Sequence, residues 1–202
     1  MPPPPPSTPS TPPLRLAVLL SGGGRTMVNL AARCADRSLN ASIHLAIASA
    51  DCPGVARAAE LGIPCSIIPG VIPAAHLEAT LRDAGIQAVA LAGYLKYLNV
   101  PSSYEGRILN IHPSLLPKHG GKGMYGHHVH EAVLAARDRI SGCTVHLVDA
   151  EFDHGSVILQ RTCPVLPDDT PTTLAARVFE QECLAYPEAI SLMAASWSLP
   201  NP

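Results

Sequence analysis

The sequence predicts an α/β domain: an open, mostly parallel β-sheet with helices flanking it. Three observations carry that expectation. Short strand-like runs recur at 14–20, 43–48, 65–68, 88–92 and 107–112, and those at 14–20 and 88–92 are nearly continuously apolar, as strands buried on both faces require. Between the first four lie segments with helical apolar spacing, two of them stopped by Gly62 and Gly85 where a glycine ends a helix well. A turn of three glycines, Gly22-Gly23-Gly24, joins the first strand to the first helix. Strand and helix alternating at this interval imply right-handed crossovers and a Rossmann-like sheet.

Taken in order, residues 1–13 read as a disordered, Pro-rich tail, unable to pair as a strand or wind as a helix. The folded domain is expected over 14–195. Helix 25–37 places Met27, Leu30, Ala31 and Cys34 on one face, and helices 54–61 and 76–84 follow the next two strands. Beyond the strand at 107–112 the pattern changes. Residues 119–126 hold four glycines in eight positions and read as a mobile loop. A helix at 129–136 precedes strands at 144–148 and 157–161, which are separated by a polar turn. Thr170 as N-cap, with Pro171 at the first helical position, opens a last helix that should end near Tyr186. A frayed end is expected over 196–202, and no internal repeat is visible.

Composition excludes several classes of function. A formal net charge of −2 with no Lys/Arg run argues against a nucleic-acid or membrane surface as the main partner. No apolar run approaches the roughly 20 residues of a membrane span. The run at 14–20 follows prolines rather than positive charge, so it does not read as an export signal. Six cysteines, none in a C-x-x-C pair or at zinc spacing, suit reduced thiols in a cytoplasmic protein.

Two polar residues interrupt the strand at 107–112. Asn110 and His112 are two apart and share a face, and Pro113 ends the pairing at once. An amide and an imidazole thus stand together at a strand end, where open α/β sheets bind ligands. A hydrogen-bonded strand terminus explains them equally well. At the glycine turn, Gly24, Arg25 and Thr26 offer backbone and side-chain donors to an anion, although a simple chain turn needs the same glycines. The turn is neither a Walker loop nor G-x-G-x-x-G, because position 27 is Met. Asp153 sits in a turn, where it either bonds its own backbone or orients a histidine, His112 being the chemical candidate. Glu182 follows Val178 by four residues and leans toward the apolar stripe of the last helix. It must snorkel to solvent or meet hydrogen-bond donors such as ligand hydroxyls. His127, His128 and His130 lack a second ligand cluster, so no metal is expected. No Gly-x-Ser-x-Gly elbow is present to support a serine hydrolase.

At Asn110-Ile-His-Pro-Ser-Leu-Leu-Pro117 the sequence resembles the folate-dependent formyltransferases. Leu19-Leu-Ser-Gly-Gly-Gly-Arg-Thr26, Leu91-Ala-Gly-Tyr94, Asp153-His-Gly-Ser-Val-Ile-Leu-Gln160 and Gln181-Glu182 match in the same order, so the resemblance spans about 16–186. It implies the formyltransferase fold and transfer of a formyl group from 10-formyltetrahydrofolate to the amine of 5′-phosphoribosylglycinamide, in purine synthesis. It further implies Asn110 and His112 at the formyl oxygen, with Asp153 against His112. Gly24, Arg25 and Thr26 would take the phosphate and Glu182 the ribose hydroxyls. Leu95, Lys96, Tyr97, Leu98, Asn110 and Val148 would line the folate. The implied partners are these small molecules alone, with no metal, nucleic acid or membrane, and the protein would be a monomer or homodimer.

The sequence departs from the family at several points. Arg25-Thr26 replaces the usual Ser-Asn, which keeps an anion-binding character with different contacts. Lys96 stands where Arg is frequent, so planar bidentate bonding is lost. A family arginine near residue 70 has no counterpart. The Gly120–Gly126 loop resembles one branch of the family. Competing expectations are a formyltetrahydrofolate hydrolase, a methionyl-tRNA formyltransferase-like enzyme and a catalytically silent nucleotide-binding paralogue. The phosphate-type turn and Glu182 disfavour the first. The absence of an added tRNA domain and of positive charge disfavours the second, and Asn110, His112 and Asp153 together disfavour the third.

Overall fold

A computed structural model describes residues 12–197. The proline tail up to residue 11 and residues 198–202, both the subject of expectations above, lie outside the described residues. Seven strands form one sheet in the order β3-β2-β1-β4-β5-β6-β7. Five are parallel: β1 (Leu14–Leu20), β2 (Ala41–Ala48), β3 (Cys65–Ile67), β4 (Ala88–Leu91) and β5 (Ile108–His112). Two antiparallel strands, β6 (Ile140–Leu147) and β7 (Val157–Pro164), extend the sheet beyond β5. The helices are α1 (Arg25–Ala35), α2 (Pro53–Glu60), α3 (Ala74–Asp83), α4 (His127–Ala135) and α5 (Pro171–Ser196).

Both faces of the central strands β1 and β4 are buried, which is why these two read as continuous apolar runs, whereas the edge strand β3 is largely exposed. Leu16, Val18 and Leu20 of β1 pack with Met27 and Leu30 of α1 and with Val178 and Tyr186 of α5. Ala17 and Leu19, pointing the other way, pack with Leu77 and Leu81 of α3. The sheet grows in opposite directions from β1, with β2 on one side and β4 on the other. That reversal opens a crevice beyond the carboxyl ends of β1 and β4. Ser21 ties the ends of these two strands together: its N–H donates to the Gly93 carbonyl at 3.1 Å, and its hydroxyl accepts from the Leu95 N–H at 2.9 Å.

Two elements differ most from expectation. β6 begins at Ile140, four residues early, because Gly142 admits the neighbouring strand; a Cβ there would collide with the Arg161 carbonyl of β7. α5 does not end near Tyr186 but runs through Pro187 to Ser196. Proline cannot supply the N–H that the Cys183 carbonyl would accept one turn back. The Asn29 side chain of α1 supplies it instead, with Nδ2 donating to that carbonyl at 3.1 Å. Just beyond α5 the Trp197 indole donates to the Gly106 carbonyl at 3.0 Å. Among the described residues no helix is long and apolar enough to cross a membrane.

Candidate functional site

A cavity of about 890 Å³ occupies the crevice at the strand ends. Its walls come from the glycine turn, the segment after β4, the end of β5, the loop before α4, the β6–β7 connection and one face of α5.

At one end the chain leaves β1 through Gly22-Gly23-Gly24 and enters α1. Gly24 adopts φ +71°, and a Cβ on it would lie 2.9 Å from the Gly54 Cα of α2, so only glycine fits. No side chain caps α1, which leaves its first N–H groups for an anion. The Arg25 guanidinium lies over the Phe179 ring at 4.3 Å from the centroid. Phe179 and Glu182 are three apart on α5 and share the face that bounds this end. Glu182 is half-buried, and burial pushes its carboxyl up to about 7 against the opposing pull of the Arg25 charge.

At the other end stand Asn110 and His112. The antiparallel register sets His146 directly across from Asn110 and Thr144 directly across from His112, so all four side chains share a face. Asp153 reaches this face from the β6–β7 connection, held at φ +56°. Its Oδ2 lies 3.3 Å from His112 Nδ1 and accepts the Gly121 N–H at 3.0 Å; its Oδ1 accepts from Asn110 Nδ2 at 3.3 Å. Burial opposes ionisation of Asp153. The hydrogen bond with His112 outweighs it, together with His146, the His112 charge and the Gly121 N–H, and holds the carboxyl well below the usual range.

Asn110 Nδ2 also meets His146 Nε2 at 3.1 Å, while His146 Nδ1 faces the Leu147 carbonyl at 2.7 Å. The other ring nitrogen of His112, Nε2, lies 2.8 Å from the His119 carbonyl oxygen. Both nitrogens of this buried ring thus face acceptors, an arrangement that a doubly protonated imidazole satisfies in full. The chain after His112 is fixed by the Thr144 hydroxyl, which donates to the Ser114 carbonyl at 2.7 Å and accepts the Leu116 N–H at 3.0 Å.

The middle of the cavity is apolar. Leu95 is 47% exposed, Tyr97 37% and Phe152 42%, a large unpartnered surface for so few residues. Tyr97 and Phe152 meet edge to face at 5.8 Å, and the Tyr97 hydroxyl donates to the Ala150 carbonyl at 3.2 Å. This bridges the segment after β4 to the β6–β7 connection.

Every residue expected to bind substrate or take part in the reaction lines this one cavity: Gly24, Arg25 and Thr26 with Glu182, then Leu95, Lys96, Tyr97 and Leu98 with Val148, and Asn110, His112 and Asp153. Leu98 is largely buried in the core and Lys96 is exposed, so their access to a ligand differs. His127 and His128 each pair with Glu131, at 3.2 and 3.3 Å. His130 is buried in the cavity wall, and burial, with the His127 and His112 charges, brings its pKa down to about 4. Sequence reasoning missed His146 and Phe179. A histidine inside the apolar run 143–148, in step with Thr144, was the available sign for the first. Phe179, one position after Val178, carried none.

A family profile described as Formyl transferase matches residues 14–190. The chloroplastic phosphoribosylglycinamide formyltransferase of Arabidopsis thaliana is 41% identical over 187 residues, covering 87% of this chain and 64% of that protein. The chain thus spans less than two thirds of that plant relative. The phosphoribosylglycinamide formyltransferase of Haemophilus influenzae is 34% identical over 185 residues, covering 87% of this chain and 85% of that one. Among solved structures, glycinamide ribonucleotide transformylase 1 from Symbiobacterium toebii superposes with a TM-score of 0.82 at 33% identity, over 94% of this chain and 91% of that chain.

Proposed function

The chain belongs to the formyl transferase family, and on that premise we propose that it transfers the formyl group of 10-formyltetrahydrofolate to the amine of 5′-phosphoribosylglycinamide, a step of purine synthesis. The observation that carries this reading is the division of one cavity. It joins an anion-accepting glycine turn to a buried Asn110–His112–Asp153 cluster across an apolar, aromatic middle. The folate supplies an activated formyl group when bound, and Leu95, Tyr97, Phe152 and Val148 offer apolar surface of the kind a pterin needs.

The roles follow from the chemistry of each group. The amine adds to the formyl carbon, so negative charge gathers on the formyl oxygen. Collapse of that adduct breaks the bond from the carbon to the folate N10, and the proton lost by the amine passes to N10 as tetrahydrofolate leaves. His112 and Asn110 are the donors to that oxygen, and a donor aimed at developing charge is worth about 10²–10³ in turnover. Both donors have protein partners: His112 Nε2 faces the His119 carbonyl, and Asn110 Nδ2 faces His146 and Asp153. The formyl oxygen therefore has to displace the His119 carbonyl, which requires the loop after Lys118 to give way. Asp153 keeps the His112 ring oriented, its Oδ2 facing Nδ1 at 3.3 Å. The first N–H groups of α1, with Arg25 and Thr26, receive the phosphate, and Glu182 accepts from the ribose hydroxyls.

No metal enters this scheme, and the partners are the two small molecules, bound by a monomer or homodimer. The six free thiols suit a reducing compartment such as the cytoplasm. The deciding assay follows the absorbance of the folate product with and without the ribonucleotide. Turnover that requires the ribonucleotide is expected. Turnover without it would mean hydrolysis and overturn the reading.

A further inference from the structure

The glycine turn does not hold its shape alone. Helix α2 packs behind it, on the side away from the cavity: all three glycines line the cavity and no residue of α2 does. Two contacts join them. The Gly54 N–H at the start of α2 donates to the Gly22 carbonyl at 3.0 Å, and Arg57 Nη1 donates to the Gly23 carbonyl. Gly54 and Arg57 are three apart and so lie on one face of α2. The approach is close enough that a Cβ on Gly54 would sit 2.6 Å from Leu20 Cδ1 and 2.8 Å from the Gly22 oxygen.

The consequence is stereochemical. In a trans peptide the C=O and the N–H of the same unit point in opposite directions. The Gly22 carbonyl shares its peptide with the Gly23 N–H, and the Gly23 carbonyl shares its peptide with the Gly24 N–H. Drawing both carbonyls back onto α2 turns both N–H groups forward, toward the cavity. Without that hold, glycine's wide conformational range would let either peptide flip and present an oxygen to the anion. The guanidinium also needs an acceptor: Arg57 is half-buried, and its contact with the Gly23 oxygen answers that need.

We propose that Arg57 is a positioning residue for phosphate recognition: by holding the Gly23 carbonyl it keeps the Gly24 N–H aimed at the ligand, without touching the ligand itself. The inference rests on the ribonucleotide reading above, deepening it at the phosphate end. It predicts an effect confined to substrates that carry the phosphate.

The test compares wild type, Arg57→Met and Arg57→Lys on 5′-phosphoribosylglycinamide and on its dephosphorylated riboside, with binding of both measured by calorimetry. Wild type should prefer the phosphorylated compound. In Arg57→Met the KM for the ribonucleotide should rise about tenfold, the scale of a lost charged hydrogen bond, with a smaller fall in kcat and little change in riboside binding. Arg57→Lys, which keeps one donor and the charge, should recover most of the loss. Thermal unfolding of each variant establishes that it is folded. An Arg57→Met protein with the wild-type preference for phosphate, or with equal losses on both compounds, overturns the positioning role alone. A wild-type protein that neither binds nor turns over the ribonucleotide overturns the functional reading instead.

Discussion

At the glycine end of the cavity the donors are main-chain N–H groups, made available by the absence of side chains in the parallel half of the sheet. At the β5 end they are side chains, brought together by pairing between β5 and the antiparallel strand β6. The first kind of site is local in sequence, and three consecutive glycines before a helix announce it. The second needs three separated segments, around 110, 146 and 153, to meet within hydrogen-bond distance. The two ends also differ in charge management. The carboxyl of Asp153 is held ionised by its histidine partner, while that of Glu182, with only the Arg25 charge favouring ionisation, is pushed up to about 7. A main-chain site should govern affinity, and a side-chain cluster should govern rate.

The sharpest way to break that distinction is His112→Ala. It should lower kcat by about 10³ and leave the KM for the ribonucleotide within a few-fold, as measured in steady state. Unchanged turnover would remove the histidine from the chemistry. Next comes Asp153→Asn, which keeps the shape but withdraws the charge facing His112. A fall in kcat of about 10²–10³ is expected. Loss of affinity for the ribonucleotide without loss of kcat would place Asp153 with the binding end.

Glu182→Gln tests the other end. The KM for the ribonucleotide should rise about tenfold for the lost charged acceptor, with kcat little changed. The same variant has a stability signature. The folded carboxyl titrates near 7, above its ordinary 4.5, so the folded state holds an extra proton between those values. Stability therefore falls as pH rises from 4.5 toward 7, and the whole cost is present above 7. Glu182→Gln should melt higher than wild type at pH 8, and the gap should close near pH 4.5. A gap of the same size at both would show that the carboxyl is not raised.

The smallest effect belongs to neither end. Asn29→Ala leaves the Cys183 carbonyl without the partner that Pro187 cannot provide. Urea unfolding should register a loss of about 1 kcal/mol, with turnover per folded molecule preserved. A change in catalytic constants would couple α5 packing to the site.

Local patterning along the chain determined a good deal. The parallel strands, the stops at Gly62 and Gly85, the N-cap at Thr170 and the glycine turn are written in runs of a few residues, because strand and helix periodicities act over that range. The candidate site residues were legible for a related reason. A polar side chain in an apolar strand, as at Asn110 and His112, breaks a pattern that the neighbouring residues establish.

Tertiary structure alone decided the rest. Whether Asp153 bonds its own turn or His112 depends on how the β6–β7 connection folds back over β5, and the answer is His112 at 3.3 Å. His146 joined the cluster through strand register, which no local run specifies. α5 passed through Pro187 because an asparagine from α1 happened to satisfy the orphaned carbonyl. Arg57 met the glycine turn across a helix packing that only Gly54 permits. Each of these is a contact between segments distant along the chain, and its geometry is set by packing and pairing rather than by any stretch that a periodic pattern can mark.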